Sequence, residues 1–151
     1  MRQPEKVVLS NMCMVSDGKG NVLVQRRVKG WNGLVFPGGH VELHETISNS
    51  VIREIKEETG LEISNIKICG VKQWFNDAEG RNICFCFKTS SYKGELKSSD
   101  EGEIFWMKLE ELQNSKEVAF NFDRMLKVFL SDDINEMFCF DDYINDGDIL
   151  L

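Results

Sequence analysis

No stretch of this chain reaches the roughly 18 apolar residues that a membrane-crossing helix needs. The start, Met1-Arg2-Gln3-Pro4-Glu5-Lys6, has no long apolar run behind a basic end. Neither a transmembrane helix nor a signal peptide is therefore expected. Positive charge is also short: 25 acidic residues against 18 basic ones leave a net charge of −7. That disfavours a sequence-independent nucleic-acid binder, whose affinity rests on a basic footprint, and no stable nucleic-acid binding is expected. A nucleotide substrate stays open, because bound cations reverse the local sign. Proline is scarce (Pro4 and Pro37), and no linker, repeat or low-complexity tract divides the 151 residues, a length that suits one domain. The five cysteines, Cys13, Cys69, Cys84, Cys86 and Cys139, form no Cys-x-x-Cys pair. They read as reduced, mostly core thiols of a cytoplasmic protein. Cys84 and Cys86 alternate with Phe85 and Phe87, which is the pattern of strand packing. Neither GxGxxG nor GxxxxGK[ST] occurs, which counts against the nucleotide folds built on those loops.

What is present is a mixed order of strands and helices. Residues 7–15 read as a first strand, 17–21 as a turn and 22–27 as a returning strand. Residues 28–33 form a loop, and the short apolar run Leu34-Val35-Phe36 then meets Pro37-Gly38-Gly39. A helix follows. Thr46 can cap its start, Ile47, Val51 and Ile55 recur at helical spacing, and Gly60 can end it in the left-handed conformation. Residues 66–75 and 82–89 read as paired strands, with a bulge expected at Gly70. Residues 103–108 suggest another strand and 109–113 a helical turn. Phe122, Met125, Leu126 and Phe129 have the spacing of a core-packed helix. From Ser131 onward the chain is acidic (Asp132, Asp133, Asp141, Asp142, Asp146, Asp148), as in a solvated tail or a late edge strand.

The chemistry concentrates in residues 38–61. Glu54, Glu57 and Glu58 stand at i, i+3 and i+4 and so share one helical face. Three carboxylates in one turn repel each other, and two lie near the negative end of the helix. Arg53 and Lys56 offset part of this. The grouping suits hard cations, since Mg²⁺ takes oxygen ligands and bridges carboxylates to phosphates. A solvated face with salt bridges would explain the triplet taken alone. Gly38-Gly39 gives a backbone that approaches a metal or phosphate closely, or a simple tight turn. Glu45 can pair with Arg53 and hold the loop against the helix.

Together these residues spell G-x5-E-x7-R-E-U-x-E-E-x-G-U, where U is apolar. Gly39, Glu45, Arg53, Glu54, Glu57, Glu58 and Gly60 fill the fixed places, and Ile55 and Leu61 the apolar ones. At roughly 7% per residue type, seven fixed matches in one register arise by chance on the order of once in a hundred million. The segment 39–61 resembles the Nudix box without a departure, and the flanking strand order is similar to the whole Nudix domain.

The resemblance implies a single Nudix hydrolase domain over 1–151, with an acidic C-terminal tail from about 131. Its fold would be α+β, a mixed sheet sandwiched between helices (α/β/α). The implied activity is Mg²⁺-dependent, or Mn²⁺-dependent, hydrolysis of a nucleoside diphosphate linked to another group. Glu54, Glu57 and Glu58 would ligate the metal, with the Gly38 carbonyl and the loop acid Glu101 joining them; Glu103 is the alternative to Glu101. One of the glutamates or a loop acid would activate water, and Arg53 and Glu45 would orient the site. Val24-Gln25-Arg26-Arg27 and Phe36-Pro37-Gly38-Gly39 look similar to the MutT-type branch, which turns oxidised purine triphosphates such as 8-oxo-dGTP into monophosphate and pyrophosphate. In that branch Arg27 would lie near phosphate or sugar, Phe36 in the base pocket and Asn121 at the purine edge, and Gly39 would bind substrate through its backbone. Against those roles stand a surface charge for Arg27, ordinary core for Phe36 and a helix N-cap for Asn121. Trp31 and Trp74 could stack on a base or fill a rim. Other readings are hydrolysis of ADP-ribose, another sugar nucleotide or a dinucleoside polyphosphate, and, in a different class, a nucleotide sensor without turnover. A homodimer is compatible with the resemblance.

Overall fold

The computed structural model of the chain describes residues 1–140 and 148–151. The acidic positions Asp141, Asp142 and Asp146 lie outside the described residues. In chain order the elements are β1 (Val7–Val15), β2 (Asn21–Arg27), β3 (Gly33–Val35), β4 (Gly38–His40), α1 (Ile47–Thr59), β5 (Glu62–Ser64), β6 (Lys67–Asn76), β7 (Gly80–Thr89), β8 (Ser91–Lys93), β9 (Gly102–Lys108), α2 (Leu109–Asn114), α3 (Phe122–Leu130), β10 (Glu136–Cys139) and β11 (Ile149–Leu150).

Six strands form one mixed sheet in the order β11-β10-β6-β7-β1-β4. β1 lies parallel to β7 and β10 parallel to β6, and the other neighbours are antiparallel. β2 sits between β3 and β9 in a second sheet, and β5 pairs with β8. The period of two along β1 sends Cys13 and Val15 to one face, where Val51 and Ile55 of α1 cover them. Met12 and Met14 point to the other face, against the cluster that holds Phe122, Met125, Leu126 and Phe129 of α3. The main sheet is therefore sandwiched between helices, with a hydrophobic cluster on each side, in the expected α+β arrangement.

The predicted bulge is present: the β6–β7 register shifts between Ile68 and Gly70. A Cβ on Gly70 would run into the Asn135 carbonyl and the Val128 side chain, so the close approach of α3 and the following chain requires glycine there.

Two features depart from the sequence reading. β4 is a strand, although Gly38-Gly39-His40 has no strand propensity; it is held by pairing to β1 at Met12, Asn11 and Ser10. The segment after Ser131 is not a solvated tail over its described part. β10 is inserted between β6 and β11, with Met137 and Cys139 fully buried, and of these two late strands β11 alone lies at the sheet edge. The Asp148 side chain is also covered, and its carboxylate lies 2.8 Å from Arg124 of α3.

Candidate active site

α1 is fixed at both ends by the capping residues the sequence offers. The Thr46 hydroxyl accepts from the Asn49 N–H, and Gly60 closes the helix at φ 81°. The three carboxylates of its face are nevertheless unequal. Glu58 is buried, Glu54 is largely covered and Glu57 is mostly exposed.

Arg53 organises the approach to them. Its Nε and Nη2 donate to the two oxygens of Glu45, at 2.8 and 3.0 Å. Nη2 also reaches the His40 carbonyl at 3.0 Å. Nη1 donates to Glu54 at 2.9 Å and Glu57 at 3.2 Å. The bidentate fork ties the loop before α1 to the helix and to β4. The hydrogen bond from Arg53, followed by that from the Glu42 N–H, holds the Glu45 carboxyl below its usual range. The same pairing raises the affinity of Arg53 for its proton.

The two glycines act by lacking side chains. A Cβ on Gly38 would collide with the backbone of Asn11 and Met12, and one on Gly39 would fall on the Glu54 carboxylate. Gly38 N–H donates to Glu58 at 3.2 Å, and Gln25 Nε2 reaches the same oxygen at 3.5 Å. Burial pushes the Glu58 carboxyl up to about 7, and the charges of Glu54 and Glu101 add to it against the Gly38 N–H and Arg27.

Gly39 N–H donates to Asn11 Oδ1 at 3.2 Å, and Asn11 Nδ2 donates to Ser50 Oγ at 2.9 Å. β4 is thereby pinned to α1 through residues the sequence reading did not single out. Asn11 and Gln25 are polar residues at buried positions of strands, 3% and 1% exposed. That misplaced polarity was the available signal.

In this arrangement Arg53 is the shared partner of Glu54 and Glu57. Among the described residues no three His, Cys, Asp or Glu side chains are gathered closely enough to hold an ion. The donor chemistry still suits a hard cation. Glu58 is a buried carboxylate whose two hydrogen-bond donors stand at 3.2 and 3.5 Å, and Glu54 lies on the Gly39 backbone beside it.

A cavity of about 560 Å³ opens beside these glutamates. Gly38, Gly39, Gln25 and Arg27 form one wall, and Trp31 and Phe120 stand at exposed positions on its lining. Arg27 stacks on Trp31 at 4.6 Å, and its Nη2 lies 3.5 Å from Glu101. It is thus not a free surface charge. Glu101 joins this group, whereas Glu103 is exposed on β9. Phe36 is at once cavity wall and core: it is 1% exposed and packs edge-on against Phe122 and Phe129 at 5.1 and 5.0 Å.

Asn121 does not cap α3 with its side chain. It takes φ 63°, and neither amide atom has a hydrogen-bond partner although both are buried. Its neighbours Phe120 and Phe122 line the cavity, which places this unpartnered amide in the cavity's supporting layer. The Gly38/Gly39 approach and Arg27 therefore meet on the cavity's lining, where Glu101 holds Arg27, and Arg53 reaches that lining through the His40 carbonyl. Glu57 stands further out.

The chain matches the NUDIX domain over residues 8–129. It is 35% identical over 108 residues to YvcI, an uncharacterised Nudix hydrolase of Bacillus subtilis, covering 68% of this chain and 66% of that one. It is 36% identical over 115 residues to an ADP-ribose pyrophosphatase of Methanocaldococcus jannaschii, covering 72% of this chain and 64% of that one. The matched region spans a little under two thirds of the length of each relative. A crystal structure of a MutT protein from Bacillus halodurans superposes with a TM-score of 0.76 at 27% identity, over 95% of this chain and 97% of that one. Among the described residues no helix is long and apolar enough to cross a membrane.

Proposed function

The chain belongs to the Nudix family, as a MutT-like member, and on that premise we propose that it is a divalent-metal-dependent nucleoside triphosphate pyrophosphohydrolase. Its preferred substrates are oxidised purine nucleotides of the 8-oxo-dGTP type, cleaved to monophosphate and pyrophosphate. The observation that carries this reading is the placement of Glu54 and Glu58 on the Gly38-Gly39 backbone at the edge of a cavity large enough for a nucleoside.

Glu54, Glu57, Glu58, Glu101 and the Gly38 carbonyl would hold Mg²⁺ or Mn²⁺. When bound, the metal neutralises phosphate oxygens and lowers the pKa of a coordinated water. Arg53 and Glu45 keep Glu54 and Glu57 aimed through the fork described above. Arg27 is carried at the cavity mouth, where its guanidinium can meet a phosphate oxygen bidentately. Phe36 offers an apolar wall for the base, and Asn121, the residue proposed for the purine edge, carries an unpartnered donor and acceptor just behind the lining residues Phe120 and Phe122. The five free thiols support a reducing, cytoplasmic setting.

The similarity to an ADP-ribose pyrophosphatase favours a second reading, in which the bond cleaved is that of ADP-ribose. The test is a screen of the purified chain with Mg²⁺ against 8-oxo-dGTP, ordinary dNTPs and ADP-ribose, with Glu57→Gln alongside. Release of 8-oxo-dGMP and pyrophosphate, lost in Glu57→Gln, is expected. Preferential cleavage of ADP-ribose would replace the substrate assignment. Full turnover by Glu57→Gln would overturn the role given to that residue. Nucleotide binding without turnover of any substrate would make the chain a sensor.

A further inference from the structure

In a chain of net charge −7, no aspartate or glutamate lines the large cavity among the described residues. Two basic side chains line it besides His40, namely Arg27 and Lys72. Arg27 is already engaged by Glu101 and Trp31. Lys72 is not part of the proposed hydrolytic machinery, and its position is unusual for a lysine.

β6 is an interior strand, and Lys72 stands in register with Cys84 on β7 and Met137 on β10. Residues in register share a face, and these two neighbours are buried at 5% and 0% exposure. Lys72 therefore leaves the sheet on its inward face, into the cavity. The acids of the neighbouring strand lie on the other side: Glu136 pairs in register with Val71 and takes its hydrogen bond from Gln73. Among the described residues Lys72 has no carboxylate partner. Its close neighbour is the Trp74 ring, with Nζ 4.9 Å from the centroid. Trp74 lines the same cavity. The ionisable groups that sense its charge are the buried thiols of Cys84 and Cys86. The half-buried ammonium has the Trp74 ring beside it but no carboxylate among the described residues, and an acceptor oxygen on a ligand would give it a charge-assisted hydrogen bond.

We propose that Lys72 is a specificity-determining residue that reads an oxygen on the base, so that the cavity takes oxo-purine nucleotides and discriminates against adenine. This rests on the nucleotide-hydrolase reading above. An ammonium carries three donors and no acceptor. It gains a charge-assisted hydrogen bond from a ring carbonyl, whereas the exocyclic amine of adenine presents a donor to a donor. Asn82 and Ser10, also on the lining, can turn either a donor or an acceptor toward the base. Lys72 cannot, and so it sets the sign of the preference. A hydrogen bond to a charged group is worth about one to two orders of magnitude in affinity.

Calorimetric binding of product monophosphates tests this without requiring turnover. Two pairs isolate the oxygen: IMP against AMP at ring position 6, and 8-oxo-dGMP against dGMP at position 8. Wild type is expected to prefer the oxo member of at least one pair about tenfold or more. Lys72→Met should reduce that preference to within about threefold, and Lys72→Arg should restore most of it, since it keeps the donors and the charge. Melting temperatures identify a variant that fails to fold, and Lys72→Gln then replaces Lys72→Met. No preference in wild type, or one that survives in Lys72→Met, overturns the proposal. Equal weakening of every nucleotide also overturns it, because Lys72 would then hold the phosphate, and inorganic phosphate should compete in wild type alone. A preference that depends on Lys72, with no Mg²⁺-dependent hydrolysis, would overturn the hydrolase reading and keep Lys72 as the base reader. Binding of none of these nucleotides would overturn both.

Discussion

Asn121 combines two properties that can be separated by mutation. Its backbone is left-handed at φ 63°, and its amide is buried with both polar atoms unpartnered. The first property suits asparagine or glycine and penalises most other residues by roughly 1–2 kcal/mol. The second costs roughly 1–3 kcal/mol unless a donor and an acceptor reach the amide, as a bound purine edge would. Asn121→Gly keeps the backbone and removes the amide. Its urea denaturation midpoint should stay close to wild type, while affinity for purine nucleotides falls about tenfold or more by calorimetry. A large loss of stability with unchanged affinity would return Asn121 to a structural role. Gly39 permits the reverse experiment at the carboxylates. In Gly39→Ala the new methyl competes with the Glu54 carboxylate for one space, without any forbidden backbone angle. Mg²⁺ titrations should show weaker binding and kcat should drop about tenfold or more, with an unchanged circular dichroism spectrum.

At the scale of elements, two separate contacts of α1 distinguish folding from function. Thr46 caps α1 by a single hydrogen bond to Asn49. Thr46→Ala should lower stability by about 1 kcal/mol in urea and leave kcat/KM within about twofold. Arg53 instead holds Glu45, Glu54, Glu57 and the His40 carbonyl together. Lysine keeps the charge but cannot reproduce the fork. Arg53→Lys should therefore lower kcat about tenfold or more with little change in KM, and solvent screening of its ion pairs keeps the loss of stability small. α1 was readable in advance because its caps, its apolar spacing and the Glu45–Arg53 pairing are all local in sequence. β4 was not, since Gly38-Gly39-His40 becomes a strand only by pairing with a partner about 28 residues away. The same limit applies within the site. Helical spacing placed Glu54, Glu57 and Glu58 on one face. What each carboxylate meets depends on β2, β4 and the loop carrying Glu101, so the burial of Glu58 and the exposure of Glu57 required the fold.

The whole molecule couples its last strands to the cavity. Acidity suggested a tail from Ser131, and the sparse apolar residues Met137 and Cys139 gave too short a period to outweigh it. Their burial depends on β6, some 65 residues earlier in the chain, which they meet at Lys72 and Trp74. At the start of β10, the backbone of Asn135 and Glu136 is tied to Leu151, and Asp148 pairs with Arg124 on α3. Both the sheet wall and the helix wall of the cavity therefore lean on the final residues. Truncating Met137 tests the coupling through one side chain. A fully buried methionine replaced by alanine loses about 2–5 kcal/mol of stability, depending on how far the site collapses. If β10 braces the cavity wall, Met137→Ala should also raise KM for the preferred nucleotide several-fold at a temperature where the variant is fully folded, with kcat nearly unchanged because Glu54 and Glu58 lie on the α1 side of the sheet. Loss of stability with KM unmoved would limit the C-terminal strands to holding the core.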